Sequence, residues 1–225
     1  MQYPIDYINK VVCADCLIAM KDIPDKSVDL VCIDPPYGMD FQSNYRKEKY
    51  NKITNDSSLN WIDDCVSELH RVLKENTHAY IFCSFHNVDI FKQSLEKVFK
   101  VKNILIWEKN NTSMGDLFGD YAPKYEMIIY VHKGRKLLNG GRDANILKFS
   151  RTGNKLHPTE KPLDLISYLI GKSSNENDTV MDCFAGSFTT AIACKNLKRN
   201  WICIEKEEEY CKIGIERINK TDAII

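Results

Sequence analysis

The sequence has no run of about 18 consecutive apolar residues, the minimum for a membrane-crossing helix, and Met1–Lys10 carries no signal-type apolar core. A cytoplasmic protein is therefore expected. There is no excess of either charge: Lys+Arg and Asp+Glu each total 31, so no global positive field advertises nucleic acid. Any such contact must come from local patches. Disulfide patterning is missing as well. The nine cysteines are scattered, and Cys32, Cys65, Cys83 and Cys194 sit inside apolar runs, as small buried thiols do in a reducing compartment. Cys13-Ala14-Asp15-Cys16 has CxxC spacing, but no second pair completes a tetrahedral set, so no metal is expected. Internal repeats, low-complexity tracts, a GxGxxG turn and a P-loop lysine are all absent.

What remains is 225 residues of ordinary globular composition, 44% hydrophobic and 28% charged, enough for one α/β domain. Short apolar runs read as strands at 10–14, 27–33, 78–84, 102–107, 125–132, 179–184 and 201–205. Helical spacing fits 59–73, 88–99, 162–173, 189–197 and 207–219 between them. This alternation predicts an α/β fold with an open, doubly wound, mostly parallel sheet. Residues 133–156, with Gly134, Gly140, Gly141 and Gly153 among Lys, Arg and Asn, read as a small insertion in a single 1–225 domain.

Two places carry chemistry. Asp34-Pro35-Pro36-Tyr37 follows the apolar run 27–33, at the strand end where ligands bind in open α/β sheets. The prolines remove two N–H donors and leave carbonyls free. Asp34 adds a charged acceptor and Tyr37 a flat face, a set suited to a planar group bearing an amino substituent. A plain strand-ending turn would use Pro-Pro too. The second place is Asp182-Cys183-Phe184-Ala185-Gly186-Ser187-Phe188-Thr189-Thr190, a small-residue turn between strand and helix, where a ligand can approach backbone and helix N-terminus. Glu205 closes the next strand, where an acid can hold a ribose diol. An ordinary strand–helix turn is the competing explanation. His157-Pro158-Thr159-Glu160-Lys161-Pro162 precedes a helix and offers a cation and a hydroxyl to a zwitterionic ligand, although a helix start with Pro at its first position explains it as simply.

Together and in this order, the three elements resemble the DNA amino-methyltransferases of the permuted β group, DPPY type and N6-adenine-specific. That family shows Asp-Pro-Pro-Tyr near the N-terminus, His-Pro-Thr-x-Lys-Pro later, and Phe-x-Gly-Ser-Gly-Thr-Thr near the C-terminus. Smaller matches run through 106–110 and 122–126, and the likeness covers about 11–218. The resemblance implies a Rossmann-like, circularly permuted S-adenosylmethionine-dependent methyltransferase fold. Strands 179–182 and 201–205 would be first and second of the cofactor half, with 11–14 third and 28–33 fourth. It further implies that Phe184, Gly186, Ser187 and Thr189 cradle S-adenosylmethionine, with Glu205 on its ribose, Asp15 toward its adenine, and Thr159 and Lys161 on its methionine. Cys16, Asp34, His157, Asp182 and Phe188 complete the candidate cofactor set. Phe188 stands where the family has Gly: it would either weaken cofactor binding, if the position needs positive φ, or pack on the cofactor's adenine.

The reaction so implied is methylation of an exocyclic amino group, with Asp34, Pro35, Pro36 and Tyr37 as the catalytic set. Hydrogen bonds from the amino group to Asp34 and the Pro35 carbonyl would direct the nitrogen lone pair at the methyl group. No cysteine nucleophile is needed, and the chain has no Pro-Cys dipeptide. The base must leave the duplex, at a cost of a few kcal/mol. A mobile loop over 33–58, with Arg46, Lys47, Lys49 and Lys52, is expected to close over it. Arg135, Lys136, Arg142, Lys148 and Arg151 lie in the expected target-recognition insertion. Double-stranded DNA is the expected partner. A homodimer and a cognate restriction endonuclease are further candidates. Asp rather than Ser before Pro-Pro-Tyr favours adenine over cytosine N4, and the Asp counts against a protein-glutamine substrate. An inactive DNA-binding homologue is the non-enzymatic alternative.

Overall fold

The computed structural model describes residues 1–37, 59–112, 118–153 and 160–222. The expected base-closing loop with Arg46, Lys47, Lys49 and Lys52, and the expected ligands His157 and Thr159, lie outside the described residues.

The described strands are β1 (Lys10–Cys13), β2 (Val28–Ile33), β3 (Leu73–Cys83), β4 (Lys100–Glu108), β5 (Tyr125–Lys133), β6 (Ile146–Lys148), β7 (Thr179–Asp182) and β8 (Asn200–Glu205). Between them run α1 (Cys16–Ala19), α2 (Ile62–Val72), α3 (Val88–Glu96), α4 (Leu163–Ser173), α5 (Thr189–Asn196) and α6 (Glu208–Asp222). The strands form one sheet in the order β1-β8-β7-β2-β3-β5-β4-β6. β5 is antiparallel to both β3 and β4, and the other pairings are parallel, so every strand but β5 runs the same way. The carboxyl ends of β1, β8, β7, β2, β3 and β4 thus emerge on one edge, together with the start of β5.

The sheet is covered on both faces, and the side-chain alternation of each strand assigns the layers. Val31, Ile33, Ala79, Ile81, Met181, Ile202 and Ile204 face one apolar cluster, with α2 and α3 residues such as Leu69, Phe91 and Leu95. Leu30, Cys32, Tyr80, Phe82, Val180, Trp201 and Cys203 face the other, with Leu165, Leu169, Ala191 and Phe188. Interiors this continuous are what the unbroken apolar runs in the sequence require.

Residues 133–153 differ from the expected loop. Ile146–Lys148 pair with Ile106–Glu108 and extend the main sheet as its last strand. Only three residues long, β6 has no periodicity to announce it and exists through its pairing with β4.

Candidate active site

At the end of β2 the ladder stops because Pro35 and Pro36 have no N–H to donate. Asp34, which follows the last strand residue, has a side chain only 19% exposed. Both its oxygens are engaged: the Tyr37 hydroxyl donates to Oδ1 at 2.5 Å and Lys161 Nζ donates to Oδ2 at 2.5 Å. The Tyr37 carbonyl accepts from Asn87 Nδ2, which ties the corner to the segment after β3. Lys161 is buried, stands 5.1 Å from the Phe82 ring centroid, and has Glu126 Oε2 at 3.2 Å. Glu126, at the start of β5, accepts at Oε1 from Lys109 Nζ at 2.6 Å.

Burial pushes the Asp34 carboxyl up, with Glu126 adding to the push, and Lys161 and Tyr37 only partly offset it. Burial alone would lower Lys161, but Asp34 and Glu126 outweigh it and hold the ammonium above its usual range. Burial likewise opposes the Glu126 charge, yet Lys161 and Lys109 keep this carboxyl below its usual value. Lys161 was expected at a cofactor's methionine end, and the structure seats it against Asp34. Glu126, Lys109 and Asn87 were not among the expected site residues. The available signal was a charge, Glu126, heading the apolar run of β5.

The second half of the edge is the turn after β7. Asp182 Oδ1 accepts from the Phe184 N–H at 3.1 Å and Oδ2 from the Thr190 hydroxyl at 2.6 Å, so its oxygens brace the turn. Burial lifts its carboxyl to about 7, although the Thr190 hydroxyl and Phe184 N–H favour the charged form. Gly186 takes φ +49, and its N–H donates to Glu205 Oε2 at 2.8 Å, while Glu205 Oε1 accepts from the Glu207 N–H at 2.9 Å. Arg217 of α6 donates to the Ser187 carbonyl at 2.9 Å and to Thr189 Oγ1 at 3.1 Å, and pairs with Glu160 at 3.3 Å. Arg217 too was not foreseen. Asp15 caps α1 by accepting from the Leu17 N–H at 3.0 Å, and its other oxygen faces Lys206 Nζ at 3.3 Å. Cys16 packs partly buried against the α2–α3 cluster. The Phe184 ring lies 5.3 Å from that of Trp61.

Phe188 answers the question its position raised. Its φ is +61, a conformation that favours glycine. Its ring is fully buried, and a Cβ on Gly214 of α6 would stand 2.2 Å from it. The expected packing of this ring on a cofactor is therefore corrected: it fills the core beneath the turn, in a space Gly214 leaves open.

The second basic stretch divides. The Arg135 N–H donates to Asn76 Oδ1, and Lys136 Nζ donates to the carbonyl of Ser173, the last residue of α4. Both sit beyond the end of β5, on the edge opposite the site. Arg142 is exposed between Gly141 and Asp143, both held by Lys172 in the last turn of α4. These three are corrections to the expected DNA-facing set. Lys148 ends β6, and the Arg151 N–H donates to Asn110 Oδ1 beyond β4, which puts both on the site edge. That edge also carries Phe85, Phe118 and Tyr121, 51%, 99% and 94% exposed. Among the described residues no His, Cys, Asp and Glu cluster is arranged to hold a metal ion, and no helix is long and apolar enough to cross a membrane.

A family model described as DNA methylase, covering N6 and N4 methyltransferases, matches residues 28–149 and 139–216. Among curated relatives, type II methyltransferase M2.MboI of Moraxella bovis is 30% identical over 94% of this chain and 88% of its own. DNA adenine methyltransferase YhdJ of Escherichia coli K12 is 29% identical over 93% and 82%. The crystal structure of the M1.HpyAVI–SAM complex superposes with a TM-score of 0.72 at 29% identity, over 92% of this chain and 98% of that one.

Proposed function

The chain belongs to the DNA methylase family, and from that premise we propose that it transfers a methyl group from S-adenosylmethionine to N6 of an adenine flipped out of duplex DNA. The observation that carries this reading is Asp34: a partly buried carboxylate at the end of β2, next to proline carbonyls, one strand from the turn after β7. The likeness to an adenine methyltransferase and to a SAM-bound neighbour supports the substrate and cofactor.

The residues present fit the cofactor. The turn after β7 bends at Gly186, whose φ is +49 and which has no Cβ to block a close ligand, and Glu205 and Asp15 put carboxylates at the ends of β8 and β1. Glu205 and Asp15 would hold its polar nucleoside groups, with the turn residues Phe184 to Thr189 beneath. Bound S-adenosylmethionine supplies an electrophilic methyl group on sulfur. Asp34 and the Pro35 carbonyl accept hydrogen bonds from the amino group, which localises the nitrogen lone pair and aims it. Tyr37 offers its ring to the extruded base and offsets part of the cost of flipping. Phe85, Phe118, Tyr121, Lys148 and Arg151 line the edge the duplex must approach.

The permuted β-group assignment has support in the sheet order. With β7 and β8 as first and second strands of the cofactor half, β1 is third and β2 fourth, the 3-2-1-4 order of a doubly wound sheet. Ligands then gather at the switch point between β7 and β2, where Asp182 and Asp34 stand. This reading makes 1–225 one methyltransferase domain acting in the cytoplasm, and the likeness to a type II methyltransferase adds a cognate restriction endonuclease as a partner. Dimer formation would let a short recognition element serve both half-sites; a monomer protecting a long asymmetric site from nuclease would contradict it.

The test is transfer from labelled S-adenosylmethionine to mixed-sequence duplex DNA, followed by nucleoside mass spectrometry. N6-methyladenine is the expected product. N4-methylcytosine would change the target base but keep the chemistry, and no methylated base despite cofactor binding would overturn the reading.

A further inference from the structure

Asp34 does not stand alone at the end of β2. It is the last member of a largely enclosed chain of alternating charge, Lys109–Glu126–Lys161–Asp34, in which Lys161 is buried and the others are partly buried, and whose links measure 2.6, 3.2 and 2.5 Å. The four residues come from the end of β4, the start of β5, the approach to α4 and the end of β2, so only the folded sheet assembles them. Charges this enclosed are costly unless paired, and a plain strand corner needs none of them.

The links are unequal. Lys161 Nζ donates to Asp34 Oδ2 in a full hydrogen bond, whereas Glu126 Oε2 is buried and receives no hydrogen bond among the described residues. That oxygen faces the ammonium as an ion pair at the longer distance of 3.2 Å. Glu126 is thus fixed from behind by Lys109 and presents its second oxygen to Lys161 as a counter-charge. Phe82 closes another side of the ammonium, 5.1 Å away. Lys161 consequently has its place set by Glu126 and Phe82, and its strongest bond directed at Asp34.

We propose that Lys161 is the positioning residue of the amino-acceptor site and Glu126 its anchor: the ammonium holds Asp34 as an anion and pins it through Oδ2, so that Oδ1 is the oxygen offered to the substrate's amino group. Oδ1 already accepts from the Tyr37 hydroxyl, and a carboxylate oxygen has a second lone pair for another donor. The proposal rests on the reading of Asp34 as amino acceptor.

The groups facing Asp34 fix the sign of the pH effects. Lys161 and the Tyr37 hydroxyl favour the anion, and Glu126 on β5 opposes it. Asp182 on β7 lies near, and the thiols of Cys32 on β2 and Cys83 on β3 are buried and neutral at physiological pH. Since the anion is the working form, activity is lost as pH falls through the Asp34 value. Lys161→Met removes a stabilising charge and moves this acidic limb to higher pH. Glu126→Gln removes an opposing charge and moves it to lower pH.

The experiment is the pH profile of kcat for full-length wild type, Lys161→Met, Lys161→Arg and Glu126→Gln on duplex DNA, with S-adenosylmethionine affinity by calorimetry and folding by thermal melts. For Lys161→Met we expect kcat at pH 7 to fall about 10–100-fold, as for one charge-assisted hydrogen bond. The acidic limb should rise, cofactor affinity should stay within about threefold, and Lys161→Arg should recover part of the rate. The opposite limb shift in Glu126→Gln is a signature that mere loss of packing does not produce, and it stands even if Lys161→Met fails to fold. Limbs that stay put or shift the same way in the two variants would overturn the proposal. So would loss of cofactor affinity with an unshifted limb, which would return Lys161 to the cofactor's methionine end. Failure of the underlying reading looks different: the wild-type enzyme itself would yield no amino-methylated base.

Discussion

The turn after β7 and the corner after β2 share one edge of the sheet and are held by different means. The turn is braced mostly through main chain: amides of Phe184 and Gly186 point at the carboxylates of Asp182 and Glu205, Glu205 is itself held by the Glu207 amide, and Arg217 grips the Ser187 carbonyl. The corner after β2 is held by side-chain charges brought from other elements, Lys161, Glu126 and Lys109, plus the amide of Asn87. Main-chain bracing keeps its form through substitutions of neighbouring side chains, whereas a charge chain depends on every member and on pH. The difference teaches where each half is vulnerable: the turn through its geometry, the corner through its electrostatics.

The largest effect should come from the corner. Asp34→Ala removes the acceptor on which transfer depends, and initial rates of methyl incorporation should drop about 10²–10³-fold or more. Equal activity in this variant would break the division of roles. Next comes Glu205→Ala, which strips the Gly186 amide of the turn and the Glu207 amide after β8 of their acceptor. Charge-assisted hydrogen bonds are worth about 1.5–3 kcal/mol, so calorimetry should find S-adenosylmethionine affinity down about 10–100-fold.

A smaller effect probes the geometry of the turn from below. Gly214→Ala would place a Cβ 2.2 Å from the Phe188 ring, and overpacking of this kind costs about 1–3 kcal/mol. Chemical denaturation should register that loss, and adding Phe188→Ala should relieve the clash without restoring full stability, since it leaves a cavity. An effect confined to a pH window concerns Asp182, whose buried carboxyl sits at about 7. Because this folded-state value lies above the ordinary one of about 3.8, the folded protein holds the proton more tightly than the unfolded chain. The resulting stabilisation is complete below about pH 4 and fades as pH rises toward 7. Asp182→Asn should flatten the dependence of unfolding free energy on pH across that window; an unchanged slope would mean that another group carries it.

The sheet was largely legible in the sequence because its central strands are buried on both faces and read as unbroken apolar runs, as in 28–33 and 201–205. Asp34 and Glu205 were legible for a related reason: each is an acid ending such a run. The reversed direction of β5 leaves no trace in its composition, and β6 is too short for a period. Lys161 was visible as a residue but its partner was not, since Asp34 lies 127 positions away and only the crossing from α4 to β2 brings them together. Glu126, Lys109 and Arg217 were missed for the same reason: an isolated charge on a strand or helix looks solvated until its neighbours are known. Arg135, Lys136 and Arg142 erred in the opposite direction. Their clustering with Lys148 and Arg151 in sequence suggested one patch, but β5 carries the chain to the far edge before β6 returns it.

The most direct test of this division measures S-adenosylmethionine affinity and the transfer rate on saturating cofactor and duplex DNA in both Asp34→Ala and Glu205→Ala. The account predicts a crossed result: Asp34→Ala binds cofactor within about threefold of wild type and hardly transfers, whereas Glu205→Ala binds weakly and regains much of its rate once cofactor saturates, the affinity change being the about 10–100-fold of a charge-assisted hydrogen bond. Parallel losses of affinity and saturated rate in both variants would contradict it, because the two halves of the edge would then be one site.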